Sequence, residues 1–153
     1  MGVTARLEPQ ALDPCRELAK LIAAADGAGA VVSFVGMARD TAKDGTRVET
    51  LVLEHHPRLT RPSLRKIAGQ ALERFDVSSV HVVHRCGPVA PGEPIVFAAA
   101  SSPHRRAAFE AADYLMDRLK TDAVFWKREE GDGGSDWIEP TEQDVLARAR
   151  WDS

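Results

Sequence analysis

Five cationic side chains stand where a ligand or a reacting group could meet them. His104 and Arg105 follow Ser102-Pro103 at the expected start of a helix. Free backbone N–H groups and partial positive charge there favour a phosphate or a carboxylate. The same residues equally suit a solvated first turn. Lys120 ends that helix, as a complement to its dipole or as a free cation. Lys127 follows seven residues later in Phe125-Trp126-Lys127-Arg128-Glu129. Strand alternation puts Phe125 and Lys127 on one face and Trp126 and Arg128 on the other. An ammonium beside apolar surface can lose its proton easily enough to act as base or nucleophile. A lysine in an edge strand can also simply discourage aggregation. Arg39 follows Gly36-Met37-Ala38 at a strand end, a common location for functional residues, although a structural arginine fits as well.

Other reactive residue types form no comparable set. His81 and His84 are three apart on an expected strand and so face opposite ways. His55-His56 has the same geometry, and no cysteine pair completes a zinc motif. Cys86, in His84-Arg85-Cys86-Gly87-Pro88, reads as a small core residue or as a reactive thiol. No Walker phosphate loop, GxGxxG fingerprint or GxSxG elbow is present.

The elements that must position these residues follow from apolar spacing and punctuation. Asp13-Pro14 caps a helix carrying Leu18, Leu21, Ile22 and Ala25, and Gly27 and Gly29 end it. Ala30–Met37 reads as a buried strand, and Asp44-Gly45 turns it toward a second, Arg47–His55. Thr60-Arg61-Pro62 opens a helix with Leu64, Ile67, Ala68, Ala71 and Phe75 on one face. Ser79–Arg85 and Ile95–Ser101 are strands joined by a rigid connection through Gly87-Pro88 and Pro91-Gly92. Ser102-Pro103 repeats the cap-and-proline start, for a helix running to Lys120 with Ala108, Ala112, Leu115 and Leu119 as its stripe. A strand at Val124–Glu129, a turn over Gly131–Ser135, a partner strand at Trp137–Glu139 and a short helix at Glu142–Arg150 complete the chain. This αββαββαββα order lacks steady βαβ alternation and predicts an α+β fold with a mixed or largely antiparallel sheet.

Composition bounds the reading. The 153 residues, 44% hydrophobic and 28% charged, fit one globular domain spanning 1–153. The net charge of −3 divides into +3 for residues 1–128 and −6 for 129–153. That disfavours a uniformly basic nucleic-acid surface but leaves room for a local basic pocket. The longest apolar run, Ile95–Ala100, is far too short to span a membrane. No basic stretch leads into an apolar one at the N-terminus, so no signal peptide is expected. Two cysteines suit a reducing cytoplasm.

Taken together, several segments closely resemble the catalytic (large) subunit of molybdopterin synthase. They are Ser102-Pro103-His104-Arg105, Ala108-Phe109-Glu110-Ala111, Met116-Asp117, Leu119-Lys120-Thr121 and Phe125-Trp126-Lys127-Arg128-Glu129. Upstream matches are Phe34-Val35-Gly36 with Arg39, Leu53-Glu54-His55, His84-Arg85-Cys86-Gly87 and Pro91-Gly92-Glu93. The chain departs from the family pattern at His56, where tyrosine is common, and at Val124, where proline is common. Pro140-Thr141 stand where some relatives carry a basic residue that reaches across a dimer.

The resemblance implies an α/β hammerhead-like fold with an added antiparallel part. It implies a homodimer at the centre of a heterotetramer, with no cofactor or metal of its own. A small ubiquitin-like subunit inserts a Gly-Gly tail ending in a thiocarboxylate. Its sulfur passes to cyclic pyranopterin monophosphate, and two transfers make the molybdopterin dithiolene. Matched by position, Lys120 and Lys127 fall on the family's catalytic lysines, and Arg39, His104 and Arg105 on its anion- and substrate-binding residues. Met37-Ala38 and Arg128-Glu129 flank those sites. The residue types suit this chemistry, because two anions share one pocket only if cations offset their repulsion. Two other readings remain: a non-catalytic module binding a ubiquitin-like protein or a phosphorylated metabolite, and a sulfurtransferase working through a persulfide on Cys86.

Overall fold

A computed structural model describes residues 2–132 and 134–152. The first strand, β1 (Gly2–Glu8), precedes α1 (Pro14–Ala24). Next come β2 (Ala30–Met37), β3 (Val48–His55) and α2 (Thr60–Arg74). Three strands follow, β4 (Ser79–Arg85), β5 (Gly87–Val89) and β6 (Pro94–Ser102). Then come α3 (Arg105–Thr121), β7 (Phe125–Gly131), β8 (Gly134–Ile138) and α4 (Glu142–Ala149).

The strands form two four-stranded sheets. One has the order β1-β4-β6-β2, the other β5-β3-β7-β8. Only the β1–β4 pair is parallel, so the first sheet is mixed and the second antiparallel. This is the α+β architecture expected, with an added antiparallel part.

Alternation along β4 and β6 gives the first sheet two buried faces. Val80, Val82, Ala98 and Ala100 pack against α2 and α3, whose Leu64, Ile67, Leu115 and Leu119 supply the apolar stripe. Val83, Phe97 and Ala99 pack on the other side with Leu21 of α1. Glu17 of α1 is also buried there, accepting hydrogen bonds from Arg6 at 2.8 Å and 3.2 Å and pairing with His81 Nε2 at 2.8 Å. A third cluster, Ala38, Leu51, Leu53 and Val89 with Phe125 and Ile138, lines one face of the second sheet.

Several expectations need correction. β1 was not anticipated: its Val3, Ala5 and Leu7 alternate, but the strand owes its place to pairing with β4. The Gly87-Pro88 connection is partly strand β5. Gly87 takes φ +85, which glycine adopts without a Cβ penalty, and turns the chain from one sheet into the other. Pro88 is tolerated because β5 is an edge strand. The third helix begins at Arg105, with His104 rather than Ser102 as N-cap. Ser102 Oγ accepts from the His104 N–H at 3.0 Å and donates to its carbonyl, so it shapes the turn before the helix. Ile22 points outward, 56% exposed, since Leu21 takes the buried position of α1. The turn expected over Gly131–Ser135 is shorter, because Gly131 ends β7 and Gly134 and Ser135 begin β8, paired with Gly131 and Glu130; Gly133 lies outside the described residues.

Candidate active site

The lysines are brought together by the return of α3 along the first sheet and the entry of β7 into the second. α3 leaves the Ser102 end of β6 and runs back toward the end where β6 begins, placing Lys120 near its C-terminus. Lys127 pairs with Leu53 on one side and Ile138 on the other. It shares a face with Phe125, whose ring stacks on His84 at 4.1 Å and 23°. Burial is the main force holding the Lys127 amine down, to about 8, and the positive charge of Lys120 adds to it; Asp144 opposes both. An amine so placed is a competent proton carrier near neutral pH.

Two residues in this cluster were not picked out as site residues from sequence. His84 is buried, and burial first, then the charges of Lys127 and Lys120, push it down to about 3, against the hydrogen bond to Arg85. Asp144 comes from α4. That helix is pinned to α3 by Arg148–Asp122 at 3.3 Å and by the Trp151 indole donating to Asp117 at 2.7 Å. Burial would raise the Asp144 carboxyl, but hydrogen bonds from Thr141 and the two lysines hold it below the usual range. The capping box Thr141-Glu142-Gln143-Asp144 was the available signal for this placement.

Arg39 lies just past the end of β2, and its charge reaches Glu129. The Glu129 carboxyl is nonetheless raised, by burial first and then by Asp44 and Asp136. Glu129 is two residues from Lys127 on the same face of β7. Met37 is exposed, whereas Ala38 is a core residue whose N–H and carbonyl are occupied by Glu93 and Gly92. Arg128 faces the other way. It pairs with Glu54 at 2.7 Å and Glu130 at 3.2 Å and lies 5.2 Å over the Trp137 ring.

His104 and Arg105 are not part of this cluster within one chain. Their end of the first sheet is where Ala30 pairs with Ser102, while Arg39 follows the end where Met37 pairs with Pro94. The eight residues of β2 separate the two ends by about 25 Å, as do the 17 of α3 between His104 and the Lys120 turn. At their own end, His104, Arg105, Arg106, Phe109 and Glu110 line an open cleft of about 480 Å³. Arg106 is a third cation there that sequence reasoning had passed over.

Cys86 sits in the main core, and burial pushes its thiol up despite Arg61 and Arg85 nearby. That is the opposite of an activated thiolate. Among the described residues, no three His, Cys, Asp or Glu side chains are grouped to hold a metal ion. No described helix is long and apolar enough to cross a membrane.

The profile of the MoaE protein family matches residues 7–122. A molybdopterin synthase catalytic subunit from Pseudomonas aeruginosa is 45% identical over 147 residues, covering 96% of this chain and 97% of the relative. One from Caulobacter vibrioides is 46% identical over 146 residues, covering 95% of each. Among solved structures, the molybdopterin biosynthesis MoaE protein from Burkholderia ambifaria superposes with a TM-score of 0.83. It is 37% identical and 99% of each chain is covered. Matches of this identity and extent mean that the chain belongs to the MoaE family of molybdopterin synthase catalytic subunits.

Proposed function

We propose that this chain, acting as one domain in the cytoplasm, moves sulfur from a small ubiquitin-like subunit to cyclic pyranopterin monophosphate. The donor is the carrier's C-terminal thiocarboxylate and the product is the molybdopterin dithiolene. The observation that carries the reading is the pairing of Lys120 with a half-buried Lys127 held at about 8. The thiocarboxylate sulfur bonds to a side-chain carbon of the pterin as a C–O bond there breaks, its oxygen leaving as water or as the opened phosphate ester. Water then cleaves the thioester so formed, the carrier leaves as a carboxylate and the sulfur stays on the pterin. Lys120 supplies fixed positive charge to the developing anions, and Lys127 takes and returns the proton. Arg39 and Glu129 extend this face, with Met37 and Ala38 beside them. Arg128 steadies the outer side of β7.

The separation of about 25 Å supports a reading in which His104 and Arg105 act at a neighbouring site. In a central homodimer, His104 and Arg105 of one subunit would serve the lysines of the other and hold the substrate phosphate. Arginine suits this because its planar fork makes two charge-assisted hydrogen bonds. Co-purification with a small Gly-Gly-tailed protein, followed by conversion of the cyclic pterin, tests the reading as a whole. Absence of both would contradict it.

Arg105→Ala is expected to weaken pterin binding by ~1.5–3 kcal/mol, the range for a hydrogen bond to a charged group. Docking of the small subunit should change little. Calorimetric titration of the variant with each ligand in turn checks both halves. Unchanged pterin affinity with lost docking would assign this cleft to the tail instead.

A further inference from the structure

We propose that His84 is a positioning residue for Lys127, its imidazole forming the flat, uncharged wall against which the amine is set. This rests on the catalytic reading of Lys127 and adds a residue from a different sheet. His84 is only 5% exposed. Its Nδ1 lies 2.8 Å from the Arg85 carbonyl oxygen. A carbonyl only accepts, so Nδ1 carries the proton and Nε2 the lone pair. The ring is clamped on its face by Phe125, 4.1 Å away and nearly parallel. Phe125 and Lys127 are two residues apart on β7 and share a face, so the lysine stem emerges beside the stack.

The topology brings His84 and Lys127 to the same place by way of Phe125. β4 ends at Arg85, and the chain re-enters the second sheet at Gly87. Gly87 pairs with Leu53, and Leu53 pairs with Lys127 on its other side. Lys127 therefore lies in the row that the chain enters at Gly87, three residues after His84, where the two sheets meet.

The charged groups facing this place are Lys120 from α3, Asp144 from α4 and Lys127 itself. Burial and the two ammonium groups keep His84 neutral down to about 3, so it adds no charge to the wall throughout the working pH range. A charged side chain there would repel Lys127 or pair with it, and a small one would let water reach the amine. Either change would alter how readily Lys127 gives up its proton.

Titration of Lys127 by NMR in lysine-labelled protein, assigned with Lys127→Arg, tests the proposal without substrate or carrier. The wild-type amine is expected to titrate at about 8. His84→Ala should move the inflection up by about one pH unit, leaving roughly tenfold less neutral amine at pH 7. Phe125→Leu, which removes the other half of the stack, should move it the same way. His84→Phe keeps a dry aromatic wall and should leave it low. The pH profile of sulfur transfer should shift in step.

An unmoved inflection in both folded stack-breaking variants would overturn the proposal. So would a shift in His84→Phe as large as that in Phe125→Leu. If His84→Ala does not fold, those last two variants carry the comparison. A failed sulfur-transfer reading would leave the NMR result standing while the profile found no reaction to follow.

Discussion

Lys127→Ala is expected to slow single-turnover sulfur transfer by about 10²–10³-fold, the usual cost of removing one electrostatic contact from a reacting centre. Lys127→Arg should be nearly as slow, because a guanidinium keeps its charge and cannot release its proton near neutral pH. Lys120→Ala should also lose about 10²–10³-fold, but Lys120→Arg should retain more, since a fixed cation is what that position supplies. Wild-type transfer should rise with pH through about 8 as Lys127 becomes neutral.

The same residue costs stability at neutral pH. The folded-state value near 8 lies below the ordinary lysine value of 10.5, so between them the unfolded chain binds a proton that the folded one does not. Stability therefore rises with pH from about 8 to 10.5 and falls back as pH drops through the folded value, leaving a cost at pH 7. Lys127→Met should remove that slope and stabilise the protein at pH 7 by up to about 3 kcal/mol. Chemical denaturation at pH 7 and pH 10 checks this. Near wild-type transfer in both alanine variants would remove the lysines from the mechanism.

Mixing two impaired variants should restore activity at a pterin concentration too low for Arg105→Ala alone. A chain with Lys120→Ala retains Arg105, and a chain with Arg105→Ala retains both lysines. In a mixed dimer, one of the two shared sites is then complete. Random pairing makes half the dimers mixed, so about a quarter of wild-type activity is expected after co-refolding. Sites confined to one chain would give no recovery. The distance between the ends of β2 and α3 makes this result a sharp one.

Local sequence signals carried much of the fold. The strand Ser79–Arg85 is buried with the expected boundaries, because a buried strand leaves a continuous apolar record. Ala30–Met37 also has the expected boundaries, but it is an edge strand with Phe34 and Met37 exposed, not the buried strand its apolar run predicts. The α3 stripe of Ala108, Ala112, Leu115 and Leu119 is buried as its spacing requires. β1 and β5 were less legible: one depends on a parallel partner about 77 residues away in the chain, and the other contains a proline that only an edge strand accepts. At the site, motif spacing named the lysines, Arg39 and the His-Arg pair but carried no distances. It could not say that α3 holds Lys120 and Arg105 at opposite ends, nor that α4 folds back to set Asp144 beside the lysines.

Following the sulfur itself tests the central claim most directly. The protein is mixed with thiocarboxylated small subunit and cyclic pyranopterin monophosphate for a single turnover, and all species are then analysed by intact mass. Sulfur should leave the carrier tail, which returns as a carboxylate, and appear in the pterin, with none retained on this chain. A variant lacking Cys15 and Cys86 should behave the same way, since both sulfurs arrive with the carrier. Sulfur retained on this chain, with transfer abolished in the folded cysteine-free variant, would contradict the account.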